Sequence, residues 1–214
     1  AGSFTHTYAD GAAAPIILVS TADDDGSFLL GSHSLSVANV APAVVLGGAA
    51  NTSEGASYDL TIAAIDPAGA ADPLTYSIDW GDGSAVQTVS AAQLAVLGGT
   101  VSHVFADDED GPVNATLRSI SVTVDDGDGG FDVATHDVTV HNVAPTAVVS
   151  GDAAVDEGAL YTLSVGAVSD PGADTRSGYT IAWGDGSVDS FTPAQWAGAA
   201  GSFTHTYADG PATP

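Results

Sequence analysis

Cysteine is absent from this chain of 214 residues, so it holds no disulfide and does no thiolate chemistry. Lysine is absent as well, and Arg118 and Arg176 are the only strongly basic side chains. Against them stand 27 Asp and Glu, for a net charge of −25. A field of that sign repels nucleic acid and anionic membrane surfaces, so neither is expected as a partner. It also opposes the compact state by self-repulsion unless cations neutralise it. No apolar run reaches the roughly 18 residues a spanning helix needs, and no membrane insertion is expected. No leader-type segment is visible, which a window cut from inside a longer chain would not display. Glutamate is scarce too: only Glu54, Glu109 and Glu157 among the acids. The rest are Asp, which suits the turns of a loop-rich β protein and is also a hard-oxygen ligand on a short tether.

What is present is repetition, the feature that sets the architecture of any chain carrying it. AGSFTHTYADG at residues 1–11 returns letter for letter at 200–210, an offset of 199. A shorter repeat lies inside the long one. NVAP occurs at 39–42 and 142–145, WGDGS at 80–84 and 183–187, and SEGASYDL (53–60) matches DEGALYTL (156–163), all at an offset of 103. Two slightly different modules of about 100 residues therefore make the long period, and a 44% apolar content supplies one core per module. In that register residues 43–145 are one complete module. Residues 1–42 are the C-terminal half of another, and 146–214 an N-terminal half that overlaps the start of the next 199-residue repeat. The expectation is a window from a longer tandem array.

The local patterns are strand-like. SYDLTIAAI (57–65), LTYSIDW (74–80), ATLRSISVTV (115–124) and FDVATHDVTV (131–140) alternate apolar and polar residues with period two. Between them lie DPAGAADP, GDGS, ADDEDGP and DDGDGG, which are turn chemistry, the last of them a hairpin. One helical turn is expected at SAAQLAVLG (90–98) and again at TPAQWAGAA (192–200). About seven short strands per module predict an all-β fold: tandem antiparallel β-sandwiches of immunoglobulin type in an extended array.

The motifs SIDWGDG (77–83), SHVFADDEDG (102–111) and SVTVDDGDGG (121–130) together resemble the PKD (polycystic kidney disease) domain. The other module matches with TIAWGDG (180–186), THTYADG (204–210, also 5–11) and ILVSTADDDG (17–26). Ile78 and Ile181 replace the first aromatic of the family's W-D-F-G-D-G strand, and Trp80 and Trp183 occupy the second place. The resemblance covers nearly the whole chain. The NVAP linkers with a following EG are similar to those of giant bacterial surface and secreted proteins. The resemblance implies a spacer or adhesion module without catalysis, located outside the cell or on its surface.

Trp80 and Trp183 end a strand before a turn, which places them in the core or, alternatively, on a sugar-stacking face. Trp196 reads as cover over the sandwich end. His6, His103 and His205 share one position beside Phe or Tyr and read as structural, because no second His or Cys stands at ligand spacing. His33, His136 and His141 read as strand-face residues. No nucleophile elbow or triad pattern occurs, and any pair of carboxylates for glycoside hydrolysis would be an arbitrary choice among many.

The acids are better placed for calcium. In an immunoglobulin-type topology the Glu54 loop, the GDG turn and ADDEDG share the pole where the chain leaves through HNVAP, and the DPGAD loop (170–174) of the next module meets them there. The layout is similar to the calcium junctions of cadherin-type tandem domains, although their D-x-N-D-N linker is absent. The expected Ca²⁺ ligands after the complete module are Glu54, Asp107, Asp108, Asp110, Asn142, Asp170 and Asp174. At the equivalent junction they are Glu157, Asp10 (equivalent to Asp209), Asn39, Asp66 and Asp72. A separate site in the hairpin, Asp125, Asp126 and Asp128, repeats as Asp23, Asp24 and Asp25, without the Glu or helices of an EF-hand.

Three functions follow. The first is a structural repeat of an extracellular filament or cell-surface stalk, partnered head-to-tail by neighbouring copies and stiffened by calcium at its junctions. The second is a polysaccharide-binding or spacer module of a secreted hydrolase. The third is an enzyme, supported only by the abundance of acids. The two half-modules either pair between neighbouring chains or belong to a continuing polypeptide. The repeated fifteen residues favour the polypeptide, because two copies of the THTY strand would compete for one place.

Overall fold

In a computed structural model, which describes residues 2–109 and 114–208, the chain is all-β, 47% strand and 7% helix. In chain order the elements are β1 (Ile16–Asp23), β2 (Gly26–Ser34), β3 (Ala43–Gly47), β4 (Asn51–Ser53), β5 (Ser57–Ile65), β6 (Thr75–Asp79), β7 (Gln87–Ser90), α1 (Ala91–Val96) and β8 (Thr100–Val104). There follow β9 (Ala115–Asp125), β10 (Phe131–His141), β11 (Val149–Gly151), β12 (Leu160–Val165), β13 (Tyr179–Ala182), β14 (Val188–Phe191), α2 (Pro193–Gly198) and β15 (Ser202–Thr206). The chain divides into two compact units: Ala1–Thr52 with Ser57–Val104 and Leu117–Thr139, and Ser53–Ala56 with Phe105–Thr116 and Val140–Pro214.

The alternating segments form the expected strands because period two sends every second side chain to one face. Along β5, Tyr58, Leu60 and Ile62 are buried while their neighbours face water. Two sheets result, β3-β5-β8 and β4-β10-β9-β6-β7. Residues 43–145 thus carry eight strands; the three-residue β4 is the addition to the expected seven. Within the first unit Leu60, Ile78, Trp80, Ile120, Val122, Val124 and Val138 lose all but 0–1% of their exposure. Burial on that scale contributes about 1.5–3 kcal/mol per large apolar side chain.

The expected helical turns are α1 and α2. Each begins with a reciprocal cap: the Ser90 or Thr192 hydroxyl accepts from the Gln93 or Gln195 backbone N–H, while the glutamine side chain accepts from the cap residue's own N–H. S-x-x-Q and T-x-x-Q are what encode it. Replacing Ser90 by Ala should lower the stability of the fold by about 1 kcal/mol, seen as a fall in urea midpoint at unchanged slope.

In the second unit β11-β12-β15 and β13-β14 form two small sheets. Ile181, Trp183 and Phe203 are its buried cluster, with Leu163, Val165, Phe191 and Trp196 packed on them. The THTY repeat behaves differently in its two copies. Residues 202–206 are β15, paired to β12, whereas residues 3–8 form no strand. A strand needs a partner edge, and only the C-terminal copy has one.

Candidate metal centres

Glu54 sits in the turn Ser53–Ala56, where Gly55 adopts a φ of +68°. Two features demand glycine there: the left-handed backbone and Pro171 O, which stands 2.7 Å from where a β-carbon would be. The turn is tied down on both sides, Glu54 N–H donating to His141 O at 3.0 Å and Gly55 N–H to Phe105 O at 2.8 Å. The Glu54 side chain, 1% exposed, accepts from Val143 N–H at 2.7 Å and Asp108 N–H at 3.1 Å. It therefore stitches three segments together: its own loop, the ADDEDG loop and the HNVAP linker.

The DPGAD loop closes over it. Gly172 lies so near the Glu54 carboxylate that a β-carbon would collide, and Ala173 N–H donates to Ala106 O at 2.9 Å. Carboxylate oxygens of Glu54, Asp107, Asp108 and Asp174 consequently lie within 4.8 Å of one another. Burial, and then the charges of Glu54, Asp107, Asp170 and Asp108, raise the Asp174 pKa. Asp170 is held inside the same unit with only 3% of its side chain exposed, and Arg176 approaches its Oδ2 no closer than 3.5 Å. Neither Asp170 Oδ1 nor the buried Asn142 Oδ1 meets a hydrogen-bond donor among the described residues. Buried acceptors without donors, crowded with like charges, are costly unless a cation joins them.

The first unit holds a second group. Asp66, Asp72 and Asp126 gather within 4.8 Å, as do Asp10, Asp72 and Asp128, so Asp72 belongs to both sets. Asp72 is 3% exposed, and its Oδ2 has no hydrogen-bond partner among the described residues, nor has Asp66 Oδ2. Asp66 Oδ1 accepts from Ala68 N–H at 2.7 Å, which orients the carboxylate. Asp126 receives Asn39 Nδ2 at 2.8 Å on one oxygen and the N–H groups of Asp128 and Gly130, each at 2.9 Å, on the other. The Asn39 bond first, aided by those amides, holds the Asp126 carboxyl below its usual range despite burial.

Asp72 goes the other way: burial, then the carboxylates of Asp10, Asp128 and Asp66, push it up to about 6. A carboxyl raised in the fold above its unfolded value of about 3.9 favours folding when protonated. In metal-free protein its contribution is present below the unfolded value and lost as pH rises through about 6. Without added cations, this contribution should make thermal stability fall between about pH 4 and pH 6 in the native chain, and Asp72→Asn should remove most of that slope.

Of the expected ligands, the structure brings together Glu54, Asp107, Asp108 and Asp174, with Asn142 and Asp170 in the same unit, and separately Asp10, Asn39, Asp66 and Asp72. Asp110 lies outside the described residues. Glu157 belongs to the second unit, at the exposed turn before β12, where Gly158 N–H donates to Tyr207 O at 2.8 Å; its expected junction runs through Asp209, which lies outside the described residues. Asp126 and Asp128, expected with Asp125 as a separate hairpin site, both approach Asp72, Asp126 together with Asp66 and Asp128 together with Asp10; the missed signal was Asn39, whose side chain bonds Asp126. Asp23, Asp24 and Asp25 cluster at the exposed tip of the β1–β2 ribbon. Asp125 caps its own turn, accepting from Gly127 N–H at 2.8 Å. The GDG acids are engaged elsewhere. Asp82 bonds His103 Nε2 at 2.6 Å and Asp185 bonds His205 Nε2 at 2.7 Å, while each imidazole stacks on Trp80 or Trp183 at 4.5 and 4.7 Å between centroids. Burial opposes it, but bonds from Ser84 and His103 bring Asp82 down to about 2.

Trp80 and Trp183 are core residues, 1% and 7% exposed, and Trp196 is covered by Tyr179, Phe191 and Phe203. Trp80 and Trp183 thus offer no face to a sugar ring, whereas Trp196 is half-buried. No helix of the described residues is long and apolar enough to cross a membrane. The chain matches no known protein family, and no characterised protein resembles it closely enough to count as a relative.

Proposed function

We propose that this chain is a structural repeat of an extracellular filament or cell-surface stalk, built from PKD-like immunoglobulin-type sandwiches in tandem and stiffened by Ca²⁺ at the module junctions. One observation carries the reading: a buried glutamate bonds a linker amide and a loop amide, and faces three aspartates from loops far apart in sequence. Such a tie restrains the linker at Val143. The donors are carboxylate and amide oxygens, which select hard cations; several carboxylates in irregular geometry favour Ca²⁺ over Mg²⁺, which demands an octahedron and keeps its waters. A net charge of −25 gives those cations a second role as counterions. Burial of Trp80 and Trp183 removes two of the three tryptophans that polysaccharide binding would use.

Scattering and calorimetry test the reading. In Ca²⁺ the chain should give a narrower distribution of interatomic distances and a higher melting temperature than in EDTA. If chelation leaves both unchanged, calcium stiffening is wrong.

A further inference from the structure

All eight residues of β1 and all nine of β2 are exposed, among them Ile17, Val19, Phe28 and Leu29. A two-stranded ribbon with so much bare apolar surface has no core of its own. Its sequence shows where such a ribbon belongs. Phe28, His33 and Asn39 stand 103 residues before Phe131, His136 and Asn142, so β1–β2 corresponds to β9–β10. That second hairpin is fully used: β9 pairs antiparallel with β6, from Thr75↔Asp125 to Asp79↔Ser121, and buries Ile120, Val122 and Val124.

The matching acceptor is in the second unit. Tyr179, Ile181 and Trp183 stand 103 residues after Tyr76, Ile78 and Trp80, so β13 corresponds to β6. Yet β13 pairs with β14 alone, and the edge that β6 gives to β9 is bare among the described residues. Beside it opens a cleft of about 590 Å³ lined by Val149, Leu163, Val165, Ile181 and Trp196. The donor lacks a sheet and the acceptor lacks a hairpin.

We propose that the β1–β2 ribbon of a second copy of this chain docks on β13 as β9 docks on β6, closing the cleft with Ile17 and Val19. The same docking completes the Glu54 centre. In the first unit the β9–β10 turn delivers Asp126 to Asp66 and Asp72, and Asp128 to Asp72 and Asp10. DPGAD (170–174) stands between Leu163 and Tyr179 as DPAGAAD (66–72) stands between Leu60 and Tyr76. Asp170 and Asp174, each shifted one residue from the 103 offset, therefore take the places of Asp66 and Asp72, and the neighbour's Asp23–Asp25 turn would reach them. Duplicate strands do not interfere, because residues 202–206 already fill the β15 place and the identical residues near the start form no strand. Donor and acceptor are different surfaces of one chain, so the contact is heterologous and propagates.

The inference builds on the tandem-array reading, and association is measured apart from calcium binding so that either can fail alone. In sedimentation velocity with CaCl₂, the mass of the wild-type chain should rise steadily through the micromolar range, and EDTA should reverse the rise. Val19→Lys alters a side chain that is 54% exposed, so the isolated chain should fold as before. Association should nevertheless weaken at least about tenfold, because the ammonium would be buried without a partner. Asp23→Asn with Asp25→Asn should remove the calcium dependence of assembly. A chain that binds Ca²⁺ yet stays monomeric at every concentration overturns ribbon docking and leaves the calcium reading standing. A Val19→Lys chain that assembles like wild type also overturns it.

Discussion

Calcium should raise the melting temperature of this chain by about 5–10 °C per occupied centre at a free concentration near one hundred times the dissociation constant. The figure follows from linkage: an ion bound only by the folded state adds about 2.7 kcal/mol under those conditions, and a chain of this size gains about 2–4 °C per kcal/mol. The structural reason is that folding crowds Glu54, Asp107, Asp108 and Asp174 to within 4.8 Å, and Asp66, Asp72 and Asp126 likewise. An unfolded chain of the same sequence scatters those acids and holds no ion at comparable strength. Magnesium should do less, since it must shed water to fit an irregular carboxylate set. Differential scanning calorimetry in CaCl₂, MgCl₂ and EDTA decides it, and equal melting temperatures in all three would remove the metal from this account.

Replacing Glu54 by Ala should cost about 2–4 kcal/mol in the metal-free protein and abolish most of the calcium shift of the second unit. Truncation leaves the Val143 and Asp108 N–H groups without the acceptors they have at 2.7 and 3.1 Å. Each amide left unsatisfied in a buried place costs about 1–3 kcal/mol, offset in part by relief of repulsion among the neighbouring aspartates. Glu109→Ala is the control: the residue is exposed, and its loss should change stability by less than about 0.5 kcal/mol. Urea unfolding of the two variants side by side would show the contrast. Equal midpoints would mean that Glu54 does not tie the linker.

Much of the fold was legible because its causes are local. The strand at Ser57–Ile65 coincides with the alternating segment, since period two needs nothing beyond the segment itself and a face to bury. The helical turns at Ala91–Val96 and Pro193–Gly198 begin at residues able to cap them. The burial of Trp80 and Trp183 followed from their place at a strand end before GDG. The grouping of Glu54 with Asp107, Asp108 and Asp174 was legible for a different reason: the Glu54 and ADDEDG turns fall at one pole of the topology and the repeat shows which loop comes next. The GDG turn, expected there too, instead turns its Asp82 to His103.

The rest required distances that the linear order does not contain. Asp126 lies far along the chain from Asn39 and Asp72, and only the pairing of β9 with β6 carries the hairpin turn to them. Glu157 has a local sequence similar to that of Glu54, yet it stands exposed at its turn where Glu54 is buried, because loops from elsewhere in the second unit cover Glu54. The two copies of THTY, identical in letters, differ in state because one has β12 beside it. By itself the sequence determined the all-β class, the repeat lengths, the strands and turns, and the acidity that calls for cations, because these depend on neighbours a few residues apart. Tertiary structure alone decided which carboxylates share a centre, which oxygens are left without donors and which strand edges stay open, because each depends on sheet order, and pairing at long range is what brings such groups within a few ångströms.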